Sequence, residues 1–193
     1  MVLAAAGRLS EAVAASEVAR DREPLVAERH TNLGMIRYYA RDLSGGLAEM
    51  DRALAIAPDD GLAHHGRGRI LAALGRYDEA ADSLRKALAI SDNAGWWATL
   101  GVTYAMAGRT SDLEAVLGRL RALEQAGTFV SIDQYAYIAA HQGRFDDAFR
   151  LVEEAIDRRM TNVLWLAVDP RADALRDDPR FARLIARMGL VAR

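Results

Sequence analysis

Apolar residues recur along this chain at steps of three and four. Leu33, Ile36 and Ala40 share one side of a helix, and Leu47, Met50 and Leu54 share one side of the next. A helix returns to the same face every 3.6 residues, so the spacing predicts amphipathic helices that each bury one stripe. No segment alternates apolar and polar residues for long enough to predict a strand. The breaks between helical stretches are regular. Gly7-Arg8, Gly75-Arg76, Gly108-Arg109 and Gly143-Arg144 mark turns, and Arg41-Asp42 stands in register where a further pair is expected. Glycine adopts the left-handed conformation that closes a helix at little steric cost.

A longer period lies over the short one. Ala-Leu-Ala-Ile occurs at 53–56 and again at 87–90, and Pro24 and Pro58 are also 34 residues apart. Proline cannot continue a helix, so it ends each unit. An apolar residue follows most of the Gly-Arg marks (Leu9, Leu43, Tyr77, Phe145), and a small one comes three later at Ala12, Gly46, Ala80 and Ala148. The third unit departs from this, with Leu113 in the small-residue slot, which predicts helices packed further apart there. Each unit is thus two helices of about a dozen residues with a tight turn, and units repeated at one period stack side by side.

Composition narrows the function classes. A hydrophobic content of 51% supports a core, and a net charge of −2 gives no overall field toward nucleic acid or anionic lipid. With no cysteine, disulfides, thiolate nucleophiles and cysteine metal sites are excluded. No apolar run approaches the roughly 20 residues of a spanning helix. Residues 1–6 are apolar but lack a basic leader, so they do not read as a secretory signal and the expected localisation is cytoplasmic.

Trp97-x2-Leu100-Gly101-x2-Tyr104 reproduces the opening of the tetratricopeptide-repeat pattern. His30-x2-Leu33-Gly34 and His64-x3-Gly68 are weaker copies with histidine in place of tryptophan, and Ala80…Leu84 and Ala148…Val152 match the second helix. On these residues the chain resembles tetratricopeptide-repeat proteins over about five-sixths of its length. The register gives repeats at 27–60, 61–93, 94–127 and 129–162, a partial repeat at 1–26, and a C-terminal cap at 163–193. The resemblance implies an all-α, right-handed α-solenoid of helix pairs with a short helical cap. Asp169-Pro170 and Asp178-Pro179 each place a capping acceptor before proline, opening a helix near 180–188. That helix is expected to bury Phe181, Leu184, Ile185 and Met188 and to expose Arg180, Arg183 and Arg187. The segment LAVDPRADALRDDPRFARLIARMGL also resembles the tail of repeat regions in large bacterial regulators linked to cyclase, kinase or winged-helix domains.

Candidate chemistry is sparse. No pair among His30, His64, His65 and His141 has the four-residue helical spacing of a metal site. Gly66-Arg67-Gly68-Arg69 lacks both the third glycine of a dinucleotide fingerprint and a preceding strand. The pairs Asp59-Asp60, Asp146-Asp147 and Asp177-Asp178 fall at helix starts, where carboxylates satisfy free backbone donors. No nucleophile elbow or kinase motif is present. The reading is a protein that is no enzyme, with no cofactor, no metal, no nucleic-acid or membrane partner, and a protein or peptide partner.

In proteins of the resembled family the first helices line a concave groove. Register carries this to Asn32, Met35, Tyr39, His65, Arg69, Thr99, Val102, Asp133, Gln134, Tyr137 and His141, centred near Tyr39, Arg69 and Tyr137. Arginine clamping a partner carboxylate beside rigid tyrosines is a common recognition pairing. The family's chaperone-tail clamp is incomplete, because Asn32 fits but Thr31, Met35 and Leu62 do not. The alternative reading is a regulatory repeat region of a larger signalling or transcriptional regulator, acting on an output domain outside this chain. An open N-terminal edge at Val2, Leu3, Val13 and Val18, left by a chain that begins partway through a repeat, is expected to drive self-association or to meet an upstream segment.

Overall fold

The computed structural model describes residues 7–190, which are helical with no strand among them. The chain divides into two compact units, Met1–Asp92 and Asn93–Arg193. Each is a stretch of α-solenoid built from helix pairs.

The first unit contains α1 (Leu9–Arg22), α2 (Ala27–Tyr39), α3 (Leu43–Ile56), α4 (Gly61–Ala73) and α5 (Tyr77–Ile90). Helix starts follow from capping acceptors: Asp42 accepts from the Gly45 N–H, and Asp60 accepts from those of Leu62 and Ala63. The turn before α5 runs through Gly75 at φ +75°, whereas the matching turn before α3 forces Arg41 to φ +67°. Within each pair the backbones nearly touch. A Cβ on Gly34 would lie 3.0 Å from the Gly46 carbonyl oxygen, and one on Gly68 would lie 3.1 Å from that of Ala80. Leu33, Ile36 and Met50 are buried in the first pair, and Ile70, Leu71 and Leu84 in the second.

A buried charge cluster ties α1, α2 and α3 together. The Glu49 carboxylate has no solvent exposure and accepts from Arg20 at 2.8 Å and Arg52 at 2.7 Å. His30 Nδ1 lies 2.7 Å from it, while Nε2 donates to the Pro24 carbonyl at 2.8 Å. Both ring nitrogens therefore face acceptors, an arrangement complete only when the ring carries both protons. On α1, Ala12 is buried, Val13 half-buried and Val18 51% exposed, while Val2 and Leu3 lie outside the described residues.

The second unit contains α6 (Ala94–Met106), α7 (Thr110–Gln125), α8 (Ile132–His141) and α9 (Phe145–Asp157). Gly108 and Gly143 close α6 and α8 at φ +67° and +74°. At Gly101 the atoms nearest an added Cβ would be those of the Ile138, Val116 and Leu113 side chains, at 3.1, 3.2 and 3.6 Å. Leu113 is buried there.

Past α9 the chain is more elaborate than one helix. Two 3-10 segments, Thr161–Ala167 and Pro170–Leu175, precede α10 (Pro179–Arg187). Asp169 and Asp178 cap the latter two, each followed by proline. Phe181, Leu184 and Ile185 are buried, and Met188 is half-buried. The expected arginine face is partly turned inward. Arg180 stacks 4.2 Å over the Phe149 ring and pairs with Asp146 and Asp178, while Arg183 and Arg187 are exposed as expected, Arg187 pairing with Asp157. The Arg180 side chain, then its backbone N–H, hold the Asp178 carboxyl below its ordinary value.

Candidate interaction surface

In the first unit α2 and α4 pack side by side. Each leaves one stripe toward solvent at helical spacing: Glu28, Asn32 and Met35 on α2, and Leu62 and His65 on α4. Leu62 is 59% exposed, a large apolar side chain at the start of its helix. One turn further along both helices lies an aromatic floor. The Arg69 guanidinium sits 4.7 Å from the Tyr38 ring centre and 5.4 Å from that of Tyr39, and its Nη1 donates to the Tyr39 hydroxyl at 3.3 Å. The two tyrosine rings meet edge to face at 5.2 Å. Arg69 is only 8% exposed and Tyr39 5%. An arginine held over two aromatic faces rigidifies the surface and is not free to close on a carboxylate.

The second unit handles the equivalent positions differently. Thr99 and Val102 are buried, and the Thr99 hydroxyl donates to the Gly95 carbonyl at 3.0 Å. On α8, Asp133 is buried against the Ser131 hydroxyl and the Gln134 amide. Tyr137, 1% exposed, lies under the Arg171 guanidinium at 4.5 Å. Arg171 also donates to Gln134 at 2.9 Å and to the fully buried Asp169 carboxylate at 2.7 Å. His141 Nε2 donates to the Arg171 carbonyl at 3.0 Å. Burial pushes the His141 imidazole below its ordinary value, against the opposing pull of that hydrogen bond and of Asp173. The outer wall of α8 is thus covered by the 3-10 segment Pro170–Leu175.

The eleven positions named from the sequence therefore separate. Asn32, Met35 and His65 share an accessible surface in the first unit, above Tyr39 and Arg69. Gln134, Tyr137 and His141 gather beneath Arg171, while Asp133 is buried nearby and Thr99 and Val102 are buried in α6. Leu62, read from the sequence only as a misfit in the chaperone-tail clamp, and Arg171 stand outside those eleven positions. Arg171 had a signal, because it lies 34 residues after Tyr137 and so repeats its place in the period. Among the described residues no group of three or more His, Asp or Glu is placed to hold a metal ion, and no helix is long and apolar enough to cross a membrane.

Residues 61–94, spanning α4 and α5, match a family model described as tetratricopeptide repeat. Comparison with curated protein sequences gives no match. Among solved structures the chain is similar to one titled MamA AMB-1, at 25% identity and TM-score 0.53, covering 81% of this chain and 92% of that one. It is also similar to one titled YrrB, a TPR protein with an unusual peptide-binding site. There the identity is 19% and the TM-score 0.52, with 90% of this chain and 98% of that one covered. The matched repeat and these neighbours support a tetratricopeptide-repeat protein.

Proposed function

We propose that this protein is a non-catalytic interaction scaffold. Its binding surface is the stripe formed by Glu28, Asn32, Met35, Leu62 and His65, which receives a peptide or helix of a partner protein. The observation that carries the reading is the combination of exposed Leu62 and half-buried Met35 with polar neighbours, over a floor fixed by Arg69 and two tyrosines. Binding to a pre-ordered surface avoids the entropy cost of ordering it, and a mixed apolar and polar patch gives both area and orientation. The neighbour whose title records a peptide-binding site supports the same type of partner. The α8 wall of the second unit, covered by Arg171 and its segment, serves the stability of that unit.

Peptide display against the whole chain tests this. It should enrich one peptide family whose affinity falls at least tenfold, about 1.4 kcal/mol, for Met35→Glu or Leu62→Glu. Arg150→Glu, on the exposed side of α9, should leave affinity unchanged. Enriched peptides indifferent to both stripe substitutions would overturn the assignment.

A further inference from the structure

The second helices of the first unit repeat at one spacing. Leu9–Arg22, Leu43–Ile56 and Tyr77–Ile90 (α1, α3 and α5) begin and end 34 residues apart. Residue 18 of α1 therefore corresponds to residue 52 of α3 and residue 86 of α5. Those two places hold Arg52 and Lys86, both exposed, as suits a site in water. On α1 the same place holds Val18, which is 51% exposed. The loop beyond α1 changes in the same sense. Leu25, 82% exposed, stands where Asp59 stands, and Val26, 41% exposed, stands where the capping Asp60 stands. Single exposed apolar residues are ordinary on a surface, but here three of them replace charged residues of the sister repeat.

The pattern around Val18 indicates its cover. Glu11, Ala15, Val18 and Arg22 follow at steps of four, three and four, so they share one face of α1, with Ala14 beside them. All five are exposed. The opposite face packs on α2, with Ala12 buried and Leu9, Val13, Ser16 and Ala19 half-buried. Val13 thus belongs to the packed side and not to the open edge. The outer face is small and apolar in the middle, acidic toward its N-terminal end and basic at its C-terminal end. Glu11 shares a surface pair with Arg8, and Arg22 has no ion pair among the described residues. Turned end for end, such a face is its own complement. About a twofold axis passing between residues 16 and 17, Val18 of one copy meets Ala15 of the other, and Arg22 meets Glu11. Parallel pairing would set Glu11 against Glu11 and Arg22 against Arg22, which like-charge repulsion opposes.

We propose that the outer face of α1 is a self-association surface, through which two copies of this chain pair antiparallel. An isologous contact of this type uses the same patch on both copies and closes at a dimer. Exposed ion pairs contribute little, so burial of Val18 against Ala14 and Ala15 supplies the attraction and the charges set the direction. One face of a 14-residue helix is about 21 Å long and makes an interface below the roughly 1,200 Å² of stable complexes. The dimer is therefore weak and exchanges readily with the monomer.

Sedimentation equilibrium of the whole chain, at concentrations up to about 1 mM, reads this association. Wild type should pass from monomer to dimer with no larger species. Val18→Arg copies Arg52 of α3, so it should keep the helical circular dichroism and raise the dissociation constant at least tenfold. Arg22→Glu should weaken the dimer at least threefold. Adding Glu11→Arg to it should restore the dimer, because both ion pairs are then reversed. Met35→Glu should change nothing. A chain monomeric throughout, undiminished association of folded Val18→Arg, or no rescue by the reversed pair would overturn the proposal. Loss of the dimer in Met35→Glu but not in Val18→Arg would seat the second copy on the α2–α4 stripe, and would overturn it equally.

Discussion

Replacing Arg171 by alanine tests whether residues 163–190 belong to the second unit or merely follow it. Arg171 is the counterion of Asp169, whose carboxylate has no solvent exposure. It is also the cation above Tyr137 and a donor to Gln134. Truncation leaves Asp169 with the backbone N–H of residue 171, at 3.0 Å, in place of a guanidinium fork. Breaking a buried pair by removing one partner costs about 3–5 kcal/mol. Loss of the stacking over Tyr137 acts in the same direction and overlaps with that figure. The double variant Asp169→Asn with Arg171→Met keeps the capping acceptor and leaves no stranded charge, so it should cost about 1–2 kcal/mol. Trp96, Trp97 and Trp165 all lie in the second unit, so tryptophan fluorescence during urea unfolding reports on that unit alone. A single-variant loss below about 1 kcal/mol, or a double variant as unstable as the single one, would mean that the Arg171–Asp169 pair does not hold residues 163–190 to the second unit.

Arg41→Gly should stabilise the first unit by about 0.5–1 kcal/mol, read by urea unfolding with circular dichroism, because release of left-handed strain outweighs glycine's extra entropy. Glu49→Ala should destabilise the same unit by about 3 kcal/mol in the same assay, since it leaves Arg20 and His30 facing an empty carboxylate site. His141 has a folded pKa below its unfolded value near 6.5, so the unfolded chain takes up the proton first. Stability of the second unit should therefore be level above that value and fall as pH drops through it toward the folded value. The difference between wild type and His141→Gln in tryptophan-detected unfolding isolates this component.

The helix pairs were legible because turns and close approaches demand particular residues. Gly75, Gly108 and Gly143 take the left-handed conformation, and Gly34 and Gly68 sit where a Cβ would strike the facing helix. Arg41 shows that register alone can impose a left-handed residue where no glycine marks it. What the sequence did not disclose is which polar residues meet one another. Tyr39 and Arg69 belong to successive first helices, and only the packing of α2 against α4 turns a projected clamp into a buried stack. The covering of Tyr137 by Arg171 was hidden because a 3-10 segment lacks the helical apolar rhythm, although Arg171 keeps the period.

The proposed α2–α4 stripe of the first unit can be caught with its protein partner in place. Benzoylphenylalanine is incorporated at Met35 or Leu62 and irradiated in the cells that make the protein. Both positions should give the same discrete cross-linked partner, and Arg150, which is exposed on α9, should give none. Cross-links from Arg150 to that partner, or no adduct at either stripe position, would contradict it.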